Sequence, residues 1–234
     1  MNNEELKVQA AMKRYNTIVI IVLSMIMVVS IVLVGMFLWH TVHRSTRSGL
    51  YPPGVKKPVI YLYPEEKTNV DVALLANITC VYPAFDEDTI WHVTAEPDGT
   101  LFDRDGKQYN YLYWEGVSNA DWDFSKGFCV AGQDVASFLE ISLEKLGLTR
   151  KEANEFIVYW LPQMERNEWN VISFQTDAYT DGAELVVDPE PDSVIRVFMA
   201  WYASDSYVEM EAQNLVTPLR TGFTVVEWGG AEVK

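Results

Sequence analysis

The segment that most constrains this chain is an uncharged, apolar stretch of 23 residues, 17–39. A helix of that length rises about 34 Å, which is enough to cross a hydrocarbon core of about 30 Å. The stretch is longer than the apolar core of a secretory signal, and no small-residue cleavage pattern follows it. Trp39 at its end suits the lipid headgroup region. The sequence therefore predicts one uncleaved transmembrane helix that holds the protein in the lipid bilayer.

The orientation of this helix follows from the lengths of its flanks. Basic residues on its two sides nearly balance, so the positive-inside rule decides little. The arm at residues 1–16 is short, as cytoplasmic stubs are, and a long C-terminal domain can translocate regardless of its charge. Gly and Pro punctuate residues 40–56, which predicts a linker before a domain at 57–234. We expect a single-pass cell-membrane protein with that domain outside.

The predicted outer domain is strongly acidic. Residues 48–234 hold 13 basic and 31 acidic side chains, a net charge of −18. Such a field repels nucleic acid, so we expect no nucleic-acid partner. It attracts cations or basic polymers, although an acidic surface also serves solubility alone.

Periodicity divides the domain into three parts. Residues 57–131 are rich in β signals, such as the apolar/polar alternation of Asn69–Leu74 and the Asp-Gly turns. Residues 132–165 show helical spacing and a capping box, in which the Thr149 hydroxyl and the Glu152 carboxylate satisfy each other's backbone amides. Strand patterns resume over 170–230. The sequence predicts an α+β fold, an antiparallel β-rich domain with an inserted two-helix hairpin.

Four blocks of sequence carry a resemblance to a known family. They are Lys57–Pro64 (KPVIYLYP), Tyr111–Gly116 (YLYWEG), Asn154–Pro162 (NEFIVYWLP) and Gly222–Gly230 (GFTVVEWGG). Together they resemble an uncharacterised family of bacterial, often membrane-anchored proteins, and the resemblance covers nearly all of 56–234. It implies a bacterial cell-envelope context and brings no catalytic residue or substrate with it.

Two Trp–carboxylate pairs are candidate ligand-binding residues, namely Trp114 with Glu115 and Glu227 with Trp228. An exposed Trp can stack on a sugar ring while the neighbouring carboxylate binds its hydroxyls. Alternatively, a Trp at the end of a strand closes the core.

Acidic clusters offer oxygen ligands for Ca²⁺ at Asp103, Asp105, Asp121 and Asp123. The alternative is that the Asp-Gly in the first cluster is a hairpin turn. Apart from this candidate Ca²⁺ site, we expect no cofactor. His92 is the only histidine beyond the linker, which excludes a His-rich metal site, and an alternating strand can place it on a solvent-facing side.

Cys80 and Cys129 are the only cysteines. Outside the membrane they could form one disulfide, and otherwise they are free thiols.

The favoured function is that of an acidic binding or scaffolding module that contacts an envelope polymer or another envelope protein. The alternative is a cell-envelope hydrolase, glycosidase- or peptidase-like, with Glu115 and Glu227 as acid and base. Paired carboxylates hydrolyse glycosides only when they lie roughly 5–10 Å apart.

Overall fold

The computed structural model describes residues 54–233 together with Met25 and Met27. Apart from those two methionines, the predicted span at 17–39 lies outside the described residues and stays a prediction. In the part of the chain that the structure describes, no helix is long and apolar enough to cross a membrane.

Strands dominate the described domain. The strands are β1 Gly54–Tyr63, β2 Thr68–Leu75, β3 Ile78–Tyr82, β4 Ile90–Ala95, β5 Leu101–Phe102, β6 Gln108–Tyr109, β7 Leu112–Val117, β8 Phe128–Ala131, β9 Trp169–Gln175, β10 Glu184–Asp188, β11 Ser193–Ser204 and β12 Thr224–Glu232. The helices are α1 Val135–Lys145, α2 Arg150–Met164 and the short α3 Asp177–Thr180.

The strands form two sheets in a three-layered arrangement. The seven-stranded sheet has the order β3-β7-β1-β12-β11-β9-β8, and the five-stranded sheet has the order β10-β2-β4-β5-β6. One apolar core lies between the sheets. A second lies between the seven-stranded sheet and the helices α1 and α2. The seven-stranded sheet is therefore the middle layer, and the outer face of the five-stranded sheet stays open.

Burial on both faces explains why the central strands are apolar almost throughout. In β1, Ile60 and Leu62 join the core between the sheets, whereas Val59 and Tyr61 join the core under the helices. Successive side chains of a strand point to opposite faces, so a strand in the middle layer needs apolar residues at every position.

One strand pair is parallel. β11 and β12 run side by side in the same direction over nine residue pairs. A parallel pair needs a long connection, and residues 205–223 supply it without a helix. Side-chain contacts of Gln213 and Arg220 help to hold this crossover segment on the domain. The Gln213 amide exchanges two hydrogen bonds with the Phe174 backbone, at 2.8 and 2.9 Å. The Arg220 guanidinium forms a bidentate pair with Glu152, at 2.9 and 3.0 Å.

The helical hairpin has the local signals that its sequence indicates. Gly147 takes φ +88° just after α1, a left-handed conformation that suits glycine. The Thr149–Glu152 capping box is present at the start of α2. Pro162 neither ends nor interrupts the assigned helix, which continues to Met164.

The predicted α+β fold class is wrong. The described residues are 43% strand and 19% helix, arranged as two sheets with one pair of helices on a single face. The seven-stranded sheet is also mixed rather than antiparallel, since β11 and β12 are parallel. The error has a physical source: a strand buried on both faces has no alternation that would reveal its direction or its neighbours.

The first strand begins earlier than the predicted linker allowed. Residues 54–56 belong to β1, and a bulge follows them, because the register with both neighbouring strands shifts before Val59. Lys57 in this bulge has φ +57°, a left-handed backbone that costs a non-glycine residue about 1–2 kcal/mol.

Candidate functional site

The two predicted Trp–carboxylate pairs are mostly buried. Trp114 is 1% exposed and lies between the sheets, while Trp228 is fully buried under the helices, where its ring packs edge-on against Phe156. Neither ring is available to stack on a sugar. The core-closing alternative is therefore the one that the structure supports for both tryptophans.

Glu227 is fully buried and forms part of a polar centre between the sheets. Its Oε1 accepts a hydrogen bond from Trp114 Nε1 at 3.0 Å, and its Oε2 accepts from Arg196 Nε at 2.6 Å. Arg196 Nη2 donates to the Ala183 carbonyl at 2.7 Å. Burial and the charge of Glu227 raise the pKa of Tyr179, whose ring lies 4.8 Å from the Arg196 guanidinium. Both oxygens of the carboxylate thus accept a hydrogen bond, and the core encloses the group.

Glu115 lies on the other face of the same sheet. Val59 pairs with both Tyr113 and Trp228, so these three share the face toward the helices. Glu115 follows Tyr113 by two residues and shares that face, whereas Glu227 precedes Trp228 by one and points to the opposite side. A substrate cannot contact both carboxylates through a sheet. The geometry does not bring together the acid–base pair that a hydrolase would need.

The aspartates of the first cluster serve a turn. Asp103 Oδ1 accepts from the amides of Asp105 and Lys107, both at 2.9 Å. Its Oδ2 accepts from the Tyr109 hydroxyl at 2.8 Å, a hydrogen bond that raises the pKa of Tyr109 to about 12.

The second cluster is also engaged locally. Asp123 Oδ1 accepts from the Ser125 amide at 2.7 Å, and Asp121 is exposed. Within the described residues, no three His, Cys, Asp or Glu side chains are grouped to hold a metal ion.

Both cysteines are free thiols. Cys80 lies on β3 and Cys129 on β8, which are the opposite edges of the seven-stranded sheet. Five strands separate them, so the thiols are roughly 25–30 Å apart, far beyond the reach of a disulfide. The structure therefore holds Cys80 and Cys129 as free thiols, the second of the two alternatives that the sequence left open.

The open face of the five-stranded sheet carries a different set of polar side chains. On β2 and β4 the residues Val70, Val72, Trp91 and Val93 point into the core. The alternating positions therefore point outward, and they are occupied by Asn69, Asp71, His92 and Thr94. The register of the two strands places Asn69 opposite Thr94 and Asp71 opposite His92.

These outward side chains are held in place by hydrogen bonds. His92 Nδ1 lies 2.5 Å from Asp71 Oδ1, and the Thr94 hydroxyl donates to Asn69 Oδ1 at 2.8 Å. The His92 amide donates to Asp86 Oδ2 at 2.9 Å. His92 Nε2 is shielded from solvent and has no hydrogen-bond partner among the described residues, which costs about 1–3 kcal/mol unless a water or ligand compensates.

A cavity of about 430 Å³ lies over this part of the face. It is lined by Asn69, Asp71, His92, Val93, Thr94, Phe102, Asp103 and Arg104. We call it the outer-face cavity. A second cavity of about 530 Å³ adjoins Phe102 from the side of Glu96 and Gln108. The Phe102 ring thus borders both.

Sequence reasoning missed this site, although part of the signal was available. The alternation of 69–74 and 89–95 predicts two strands with polar outer residues, and it allows His92 to face solvent. What the pattern does not reveal is that β2, β4 and β5 are neighbours. Only that neighbourhood brings Asp71, His92 and Phe102 to one place.

A cation–aromatic cluster surrounds Lys57, whose neighbours Tyr111 and Tyr113 are partly buried against the core under the helices. The Lys57 amine lies 3.3 Å from the Tyr111 hydroxyl and 4.9 and 5.3 Å from the ring centroids of Tyr111 and Tyr113. Burial and hydrogen bonding to Glu115 raise the pKa of Tyr113. The strained bulge at Lys57 therefore positions a cation among tyrosines on this side.

Comparison with known proteins does not identify the family. No protein-family model matches the chain, and no solved structure matches it. An uncharacterized protein encoded in the bglA 3′ region of Butyrivibrio fibrisolvens is 46% identical over 63 residues. The matched region covers 26% of this chain and 65% of that relative. The resemblance to a bacterial envelope family, drawn from the four sequence blocks, stays a prediction.

Proposed function

We propose that this chain is a membrane-anchored envelope protein whose domain at 54–233 is a binding module rather than an enzyme. The uncharged segment 17–39 supports anchoring in the cell membrane, and the shortness of the arm before it supports an outward-facing C-terminal domain. In this arrangement the acidic domain meets polymers and proteins of the envelope.

The observation that carries the proposal is the ordered polar surface around the outer-face cavity. Asp71 and His92 are paired, and Asn69 and Thr94 are paired, so the side chains are positioned before any ligand arrives. Preorganised polar groups beside an aromatic ring are typical of ligand-binding sites, because little entropy is lost on binding. The same face has no helix or sheet over it within the described residues.

The hydrolase alternative has no support from this geometry. Its two carboxylates lie on opposite faces of the middle sheet, and Glu227 is enclosed and bound by Arg196 and Trp114. The binding module is therefore the function that the arrangement favours.

Co-sedimentation tests the proposal directly. Full-length protein in lipid nanodiscs is mixed with purified bacterial cell walls, and the pelleted fraction is compared with that of empty nanodiscs. We expect saturable binding that persists at about 0.5 M salt. Charge screening at that ionic strength weakens a purely electrostatic contact, so persistence indicates binding through the polar groups and the aromatic ring of the site. Binding no greater than that of empty nanodiscs contradicts the binding function for wall polymers.

Protease treatment of intact cells tests the orientation. We expect the domain at 54–233 to be digested from outside while the arm at 1–16 stays protected. Survival of the domain in intact cells, with digestion after lysis, contradicts an outward-facing domain.

A further inference from the structure

We propose that the outer-face cavity binds a neutral oligosaccharide, which passes over the Phe102 ring. The inference rests on the proposed binding function and specifies the ligand of that site.

The outer-face cavity presents both donors and acceptors. Asn69 Oδ1 is engaged by Thr94, which leaves the amide N–H groups of Asn69 to a ligand. Asp71 is about half exposed, and only its Oδ1 is engaged by His92. The Arg104 guanidinium is mostly exposed and lies 3.9 Å from its nearest carboxylate oxygen, on Asp86.

This mixture matches hydroxyl groups better than an ion. A sugar hydroxyl both donates and accepts, so it can use the Asn69 amide, the free Asp71 oxygen and the Arg104 guanidinium together. A bound cation would find one free carboxylate oxygen, because both oxygens of Asp103 accept hydrogen bonds within the protein. A bound anion would face the negative charges of Asp71 and Asp103. A neutral, polyhydroxylated ligand avoids both penalties.

Phe102 supplies the apolar part of the site. Its side chain is outward-facing on β5 and partly buried, and an aromatic ring offers a flat apolar surface to the C–H face of a sugar. Because the ring borders two cavities, a ligand that occupies both must be longer than one sugar unit. The second cavity adds further polar groups at Asp98, Thr100 and Gln108. The geometry therefore fits an oligosaccharide chain.

Affinity measurements with defined sugars test the site. Full-length protein in lipid nanodiscs, which contain no sugar detergent, is titrated with cellotetraose, tetra-N-acetylchitotetraose and the corresponding disaccharides. We expect at least one tetrasaccharide to bind, and to bind more tightly than its disaccharide. Phe102→Ala should weaken that binding about tenfold, through loss of the ring. Asp71→Asn, which replaces the free acceptor with a donor, should weaken it about fivefold.

Asp188→Asn is the matched control. Asp188 lies on the neighbouring strand directly opposite Asp71 in register, is exposed, and does not line the cavity. Asp188→Asn removes the same charge from the same face as Asp71→Asn does. Because Asp188 does not line the cavity, the affinity should stay within about twofold of the wild type. The thermal unfolding midpoint shows whether Phe102→Ala is folded. If Phe102→Ala does not fold, Asp71→Asn tests the site in its place.

Three results overturn the inference. One is unchanged tetrasaccharide affinity in the folded variants, and another is an equal loss in Asp188→Asn. The third is that neither tetrasaccharide binds this cavity more tightly than tetralysine or a short polyphosphate does. If the protein still co-sediments with cell walls in that third case, the ligand class is overturned while the binding function stands.

Discussion

At the scale of single residues, two opposite charges stand out in apolar strands. Arg196 lies between Ile195 and Val197 in β11, and Glu227 lies between Val226 and Trp228 in β12. They are direct partners in the parallel register. Burying either charge alone costs several kcal/mol, so the pair favours this register over any one-residue slip, which would leave both charges opposite apolar neighbours.

Removal of one partner should therefore be costly. We expect Arg196→Met to lower the free energy of unfolding by about 3–5 kcal/mol, because Glu227 would stay buried without its counter-charge. The double variant Arg196→Met/Glu227→Leu should lose less than the single variant, since no buried charge remains. Equilibrium urea unfolding measures both. Lys126→Met, which breaks an exposed pair with Glu211, is the control and should change little. A single variant as stable as the wild type would contradict the assigned role.

The same residues show what the sequence could reveal. Glu227 beside Trp228 resembled a ligand site, because a carboxylate next to an aromatic ring is typical of one. A lone charge inside an apolar run also indicates a buried pair, and Arg196 has the same context. The partners are 31 residues apart, however, and no local pattern links them. The sequence therefore indicates that each charge is buried, but it does not indicate that Arg196 and Glu227 are partners.

At the scale of elements, the start of α2 also anchors the crossover segment 205–223. The Glu152 carboxylate accepts from the Thr149 amide at 2.7 Å as part of the capping box. It also accepts hydrogen bonds from Nη1 and Nη2 of Arg220, whose guanidinium carbon lies 4.9 Å from the centroid of the Tyr63 ring. One buried carboxylate thus joins a helix terminus to the segment that makes the parallel strand pair feasible.

The stability supplied by Glu152 should depend on pH. Burial by itself raises the pKa of Glu152, but hydrogen bonds from Arg220, the Thr149 amide and Tyr63 outweigh it, and the pKa lies below its usual value of 4.5. A lowered folded-state pKa means that the unfolded chain takes up the proton first as pH falls. The contribution is complete above about pH 4.5 and is lost as pH falls through the folded-state pKa.

Glu152→Gln tests this dependence. We expect the variant to be less stable than the wild type by about 2–4 kcal/mol at pH 7, through loss of a buried, charge-assisted pair. The difference should shrink as pH falls below 4.5, because Glu152 of the unfolded wild-type chain then takes up a proton before Glu152 of the folded protein does. Urea unfolding of both proteins between pH 7 and pH 3 measures it. A difference that is constant over this range would contradict the linkage.

The elements themselves were largely predictable, and their order was not. Alternation located the strands that the structure shows at Thr68–Leu75 and Ile90–Ala95, and the capping box located the start of α2. The placement of β12 between β1 and β11 depends on contacts between distant parts of the chain. Strands buried on both faces show no apolar/polar alternation, so no local sequence pattern predicts the parallel pairing of β11 and β12.

At the scale of the whole molecule, layering decides which surfaces remain for function. Both faces of the middle sheet pack against the two cores, so Trp114, Glu227 and Trp228 in its strands are enclosed. One face of the outer sheet packs against the core between the sheets, and the other face contacts solvent. The outer-face cavity lies on this second face. The candidate site therefore follows from the order of layers, a property that no single segment of sequence contains.

The width of the middle sheet leads to a prediction about its thiols. Cys80 and Cys129 lie on the two edge strands, with five strands between them, so an oxidising compartment cannot join them within one chain. Cys80 is exposed, whereas Cys129 is half-buried and its Sγ accepts a hydrogen bond from the Val208 amide at 3.2 Å. We expect N-ethylmaleimide to label Cys80 in the native protein well before Cys129.

Mass spectrometry checks this expectation. Full-length protein purified from membranes without reductant should accept two N-ethylmaleimide groups per chain after denaturation. Cys80→Ser, the matched variant, should lose the fast native reaction and keep the slow one, because the two thiols react independently when they are so far apart. A monomer that contains a peptide linked through Cys80 and Cys129 would contradict the strand order, because two residues on opposite edges of this sheet lie too far apart for their sulfurs to bond.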